Sequence, residues 1–321
     1  MKRKYLFAVI FTLLLTFYTN GQNYSIAQTG VFAPQNKKVI LLKDDRGENK
    51  IILFQTDLRV NTDGSPNSYH PYDLRGREKA INNICNAIVV KKGNSGENLC
   101  FSNFAEAIGV FEKFRDSDFQ IIPDGYKITW ENVLATDESN GRRTPCILKS
   151  GTYAGYFGSL TSLKNGILQD KGECESNDQI NSLEVPALVL VGGKNVVKDF
   201  GARVGDLVVA YNPAKNLFTS AIIGDTGPKD NLGEGSVRLN MKLLGEAQPP
   251  VNRADTRRIS ISEDPVMIAV IPASNLFEIA GGTPFTEENI DRRLRNWQKK
   301  AGFASFGKFI EFIAKYRMQL N

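Results

Sequence analysis

The stretch Leu207–Ser236 reads LVVAYNPAKNLFTSAIIGDTGPKDNLGEGS. Leu207–Tyr211 and Leu217–Ile223 are β-type runs. The segment between them, Asn212–Asn216, has turn chemistry, so the pair predicts a hairpin. Its second strand stops at Gly224 and presents Asp225 where strand gives way to loop. Glu234 follows in a loop rich in glycine. Acids in such a loop are common on any surface. Two carboxylates held at the end of a rigid strand are also what acid/base hydrolysis requires.

Working outward, Pro186–Val191 (PALVLV) and Val266–Ile271 (VMIAVI) are buried-strand runs, and Ser236–Leu244 fits helix or strand. Further upstream, Lys38–Lys43 and Lys50–Leu58 are short strands. They lead into Arg59–Asp73, a loop dense in Asp, Gly, Pro and Asn. That loop holds Asp63, Tyr69, His70 (the only histidine), Tyr72 and Asp73. Ala80–Val90 starts as a short helix and becomes a strand. Ile108–Phe114 and Lys127–Val133 read as strands through their alternation, and Tyr153–Leu163 as a strand lining a cleft. Gly166–Asn181 is a polar loop. At the C-terminus, Thr286 caps a helix carrying Ile290, Leu294 and Trp297. Phe306, Phe309, Ile310 and Ile313 mark another. The predicted fold is mainly β (α+β). It is a single-domain β-barrel with C-terminal helices, from about residue 284 to 321, packed on it. The G-D-x-G-P motif at a strand end is similar to that of small double-psi barrels, so a double-psi-like core is expected.

Lys2-Arg3-Lys4 followed by an apolar run from Tyr5 to Tyr18 reads as a secretory signal peptide over residues 1–21. Residues 22–36 read as a mobile leader and 37–321 as the functional domain. Without its signal the chain has 37 basic and 35 acidic residues, a balance that argues against nucleic acid or anionic membrane as partner. Four cysteines in an exported chain predict two disulfides, with neighbours in sequence paired: Cys85–Cys100 and Cys146–Cys174. One histidine excludes a multi-histidine metal site. A Ser/His/Asp triad finds no G-x-S-x-G elbow, and there is no phosphate-binding G-x-x-x-x-G-K-[ST] loop. Paired carboxylates are what remain.

Several segments resemble the chitosanases of glycoside hydrolase family 75. They are DGSPN (Asp63–Asn67), YFGSLTSL (Tyr156–Leu163), VPALVLVGG (Val185–Gly193) and GARVGDLVVAYN (Gly201–Asn212). AIIGDTGPKDNLGEGS (Ala221–Ser236) and DPVMIAVIPAS (Asp264–Ser274) complete the set. They occur in the family's order and span Thr56 to Ala280. The resemblance implies a secreted endo-acting, inverting hydrolase of β-1,4-linked glucosamine chains, with Asp225 and Glu234 as its essential carboxylates. Glu234 is assigned as general acid and Asp225 as general base. Asp63, Tyr69, Tyr72, Asp73 and Tyr156 are expected to line the substrate groove. The expected partner is a polysaccharide, with no nucleic acid, no stable membrane association, no metal and no cofactor, and the chain is expected to be a monomer. A peptidoglycan-directed protein and a non-catalytic carbohydrate-binding barrel are the alternative readings.

Overall fold

The computed structural model of the chain describes residues 23–93, 96–131, 133–138, 143–165, 174, 179–276 and 285–320. The expected signal peptide and most of the polar loop before Asn181 lie outside them. In chain order, β1 (Tyr24–Phe32), β2 (Lys37–Asp44) and β3 (Lys50–Asn61) come first. An insert follows with β4 (Ile88–Lys92), α1 (Leu99–Ser102), α2 (Phe104–Asp116), β5 (Tyr126–Trp130) and the two-residue strands β6 (Thr136–Asp137) and β7 (Thr144–Pro145). The chain then forms β8 (Ala187–Leu190), α3 (Val196–Asp199), β9 (Leu207–Asn212), β10 (Leu217–Thr226) and β11 (Glu234–Ser236). It continues through α4 (Val237–Leu244), α5 (Arg253–Arg258), β12 (Ile261–Ile271), α6 (Glu287–Lys300), α7 (Phe306–Ala314) and α8 (Arg317–Leu320).

Strands β3, β11, β8, β10, β9 and β12 lie side by side in that order, and β12 returns to pair with β3. This closes the expected barrel. Its β8–β10 and β3–β11 pairs are parallel and the others antiparallel. Alternation sends each strand's side chains to two separate cores. Leu58, Leu188, Val208, Ala210, Ile223, Ile268 and Val270 meet in the lumen. Leu239 and Leu243 of α4 join them and stopper one end. Ser236 starts that helix by accepting from Leu239 N, and Gly245 ends it in the left-handed region. Ala187, Leu207, Val209, Ile222 and Ala269 face outward, under Ile290, Leu294 and Trp297 of α6 and Phe309 and Ile313 of α7. The C-terminal helices are where their apolar spacing put them, and Thr286 caps α6 through Asn289 N.

Three expectations need correction. The stretch read as a mobile leader contains an edge strand: β1 pairs with β2 from Tyr24 to Phe32, and Tyr24 stacks on Phe303 at 5.4 Å. Ile108–Phe114 is helical, not a strand. Ala107, Ile108, Phe111 and Phe114 are buried on one face of α2, and Asn103 caps it through Glu106 N. Tyr153–Leu163 forms turns and isolated bridges, Ile147 with Phe157 and Leu134 with Ser159, instead of a strand. The last two segments belong to the insert. It has its own core around Phe111, Phe157, Leu134 and Tyr69.

The disulfides pair as expected, Cys85 with Cys100 and Cys146 with Cys174, and both bear on this insert. Such bonds belong to chains that fold in an oxidising compartment. Among the described residues, no helix is long and apolar enough to cross a membrane.

The glycines of the G-E-G motif serve the barrel. Gly233 has φ +119°, and a Cβ there would overlap the Asp57 carbonyl oxygen and the Thr56 side chain. Only a bare backbone lets β11 enter beside β3, where Arg59 N donates to Gly233 O at 2.9 Å. Gly233→Ala is therefore expected to destabilise the fold by about 2–3 kcal/mol, from strain plus displaced backbone. Chemical denaturation of the two proteins measures this difference.

Candidate active site

Asp225 owes its direction to one extra residue. On β10, Ile223 lies opposite Leu188 of β8, but Asp225 lies opposite the very next residue, Val189. Gly224 is thus a bulge. Ile223 and Leu188 both point into the lumen. Unbroken alternation would send Asp225 there too. The bulge turns it out, beside Val189. Gly224 fits because its missing Cβ would come within 2.9 Å of Ala187 Cβ.

Glu234 reaches the same face from the other side. It begins β11, opposite Val189 of β8 and Arg59 of β3. Directly opposed residues project to one face of a sheet. Asp225 and Glu234 therefore flank Val189 with two strand spacings between them, a Cα separation of roughly 10 Å.

Each carboxylate is fixed at one oxygen. Asp225 Oδ1 accepts from Ser162 N at 2.9 Å, Ser162 Oγ at 2.7 Å and Thr226 N at 2.7 Å. Among the described residues its Oδ2 accepts no hydrogen bond. Glu234 Oε1 accepts from Asn231 Nδ2 at 2.7 Å. Asn231 Oδ1 in turn accepts from Gln35 Nε2 at 3.0 Å, and Gln35 Oε1 accepts from Leu232 N at 2.6 Å. Glutamine 35, on the turn between β1 and β2, thereby sets the loop that carries Glu234. Burial raises the Asp225 carboxyl above its ordinary range, outweighing the hydrogen bonds from Ser162 and Thr226 and the nearby charge of Lys164.

Asp63 is the third carboxyl of the site. It follows β3 in a tight turn, where its N–H donates to Asn61 Oδ1 at 2.7 Å. Its own oxygens accept from Asn61 Nδ2 and Tyr69 OH, both at 3.2 Å. It lines one small cavity with Asp225 and a larger cleft with Glu234. Burial first, then the charge of Asp225, and last that of Glu234 push its pKa up to about 7, against the pull of its two hydrogen bonds.

The cleft measures about 620 Å³ and lies between the barrel and the insert. Val60–Asp63, Thr226–Pro228 and Glu234 form its barrel side. Asn86, Asn98, Phe101 and Glu131 stand on the insert side. Phe101 is 88% exposed, next to the Cys85–Cys100 bridge. An aromatic ring bared to a cleft is a natural platform for a sugar ring. The lining includes three acids and no lysine or arginine.

The other expected lining residues are placed differently. Tyr69 is buried (1% exposed), and its hydroxyl holds Asp63 and accepts from Asn82 Nδ2 at 3.2 Å. It positions Asp63 from behind. Asp73 accepts from the N–H groups of Arg77, Glu78, Lys79 and Ala80 and so organises its own loop. Tyr72 lies under the Arg115 guanidinium, and Tyr156 meets the edge of His70 at 4.6 Å. Tyr72, Asp73 and Tyr156 are not among the residues lining the cleft. Sequence reasoning passed over Ser162, Asn231, Gln35 and Phe101. Serine 162 does lie in the YFGSLTSL segment, but nothing there singles it out.

No family model matches the chain, and no curated protein matches it. Among the described residues, no group of three His, Cys, Asp or Glu side chains is arranged to hold a metal ion. The arrangement gathers three carboxyls, with those of Asp63 and Asp225 raised above their ordinary range. Such a set can give a proton to one atom and take one from another.

Proposed function

We propose that this chain is an exported endo-acting hydrolase of β-1,4-linked glucosamine chains that works by inversion. The observation that carries the reading is the pair Asp225 and Glu234 flanking Val189 on one face of the barrel, with Glu234 in the wall of a cleft lined by no lysine or arginine. Inverting glycosidases hold their two carboxyls about 6.5–9.5 Å apart so that a water fits beside the sugar. Carboxyls borne on Cα atoms roughly 10 Å apart on one face are compatible with that range. Asp225, anchored through Oδ1, has Oδ2 to take the proton of the attacking water. Glu234 protonates the leaving oxygen. Asp63, uncharged below neutral pH, keeps a third negative charge off this face. The ammonium groups of glucosamine suit the acidic lining, and Phe101 offers a stacking surface.

The test is soluble chitosan. Reducing ends should accumulate, and proton NMR of early products should show the α-anomer before mutarotation. Absence of new reducing ends, or release of the β-anomer first, would rule the reading out.

A further inference from the structure

A second groove, about 710 Å³, opens on the other side of Thr226, the residue after Asp225. Thr226 lines both. The second groove has the opposite charge: Lys194, Lys198 and Arg203 line it with one acid, Asp199. Among the described residues none of these three cations forms an ion pair. Arg203 is nevertheless held in place. Its Nη1 donates to the carbonyls of Lys198 at 2.9 Å and Ala202 at 2.7 Å. Backbone carbonyls fix the guanidinium without neutralising it, so its remaining N–H groups stay available to an anion. The binding surface is thus polarised across the Asp225–Thr226 step, with acids on one side and cations on the other.

A uniformly cationic polymer would gain on the first side and be repelled on the second. We propose that the groove of Lys194, Lys198 and Arg203 is an anion subsite, and that among glucosamine chains the protein favours those that carry carboxylate groups on the Arg203 side. This rests on the carboxylate face being a glycan-cleaving site. The test therefore reads binding, so that failure to cleave chitosan counts against that reading and loss of charge preference against this one.

The probes are chitohexaose and O-carboxymethyl chitohexaose, titrated calorimetrically at low salt into the Glu234→Gln protein, where turnover is slowed by about 10²–10⁴-fold. The carboxymethylated hexamer is expected to bind at least about tenfold more tightly, with the advantage shrinking at high salt. Lys194→Glu/Lys198→Glu, in the same background, should reverse the preference. Lys194→Gln/Lys198→Gln should remove it, and serves if the charge-reversed protein melts early. Equal affinities, tighter binding of the unmodified hexamer, or binding of neither would overturn the proposal. So would a preference that survives in a neutralised protein melting at the parental temperature.

Discussion

Asp225→Asn and Glu234→Gln are each expected to lower kcat on chitosan by about 10²–10⁴-fold with little change in KM, the range lost when a positioned acid or base is removed. Both substitutions respect the local geometry. In Asp225→Asn the amide oxygen takes the place of Oδ1 and still accepts from Ser162 N, Ser162 Oγ and Thr226 N. The amide nitrogen then stands where Oδ2 was and cannot accept a proton from water. In Glu234→Gln the amide oxygen keeps the hydrogen bond from Asn231. The other atom, which lies over Gly227, loses its ability to deliver a proton. Melting temperatures near the parental value would show that the loss is chemical. Full activity in either variant would remove that residue from the mechanism.

The parent's activity is expected to fall as Asp63 ionises above about pH 7, and Asp63→Asn is expected to remove that fall and to make the protein more stable above neutral pH. The carboxyl has its pKa raised to about 7 in the fold, whereas a solvated aspartate titrates near ~3.9. Between those values the folded chain holds a proton that the unfolded chain has released. Stability therefore declines as pH rises through that window, and the decline is complete above about 7. At about 1.4 kcal/mol per pH unit the penalty is bounded at roughly 4 kcal/mol, and solvent contact through the cleft reduces it to about 2 kcal/mol. Asparagine carries no charge at any pH. Its variant should melt about 5 °C above the parent at pH 8 and level with it near pH 4. The groups facing Asp63 are Asp225, Glu234, Tyr69 and Asn61, and the first two supply the repulsion that the substitution relieves. A variant less stable than its parent at pH 8, or one that keeps the parental alkaline limb, would contradict this account.

Strand runs, turns and the helical tail were legible in the sequence because each is written in neighbouring residues. The hairpin of β9 and β10, the cap at Thr286 and both disulfide pairings were all as expected. The insert was harder. Residues Ile108–Phe114 alternate well enough to pass for a strand, and only the capping Asn103 and the wider spacing of Ala107, Phe111 and Phe114 mark the helix. Asp225 and Glu234 were visible as carboxylates in a motif, but their shared face depends on register with Val189, which no local pattern encodes. Asp63 was expected to touch substrate. That its proton affinity depends on two acids far along the chain is a property of the fold alone. Nor does the glycine-rich motif itself show that Gly233 and Gly235 make room for the protein: a Cβ on Gly235 would come within 2.7 Å of Asn240 Oδ1 and 3.2 Å of Leu58 Cδ1.

The bulge at Gly224 has a consequence for how such barrels acquire and lose activity. A single codon deletion there would leave every carboxylate in the sequence yet swing Asp225 into a lumen filled by Leu188 and Ile223. Both acids would survive in the text of the gene while their chemistry disappeared. Conversely, a silent barrel with an aspartate one step out of phase needs only an inserted small residue to expose it. In this architecture, gain or loss of function can turn on a one-residue length change with no substitution of an acid at all.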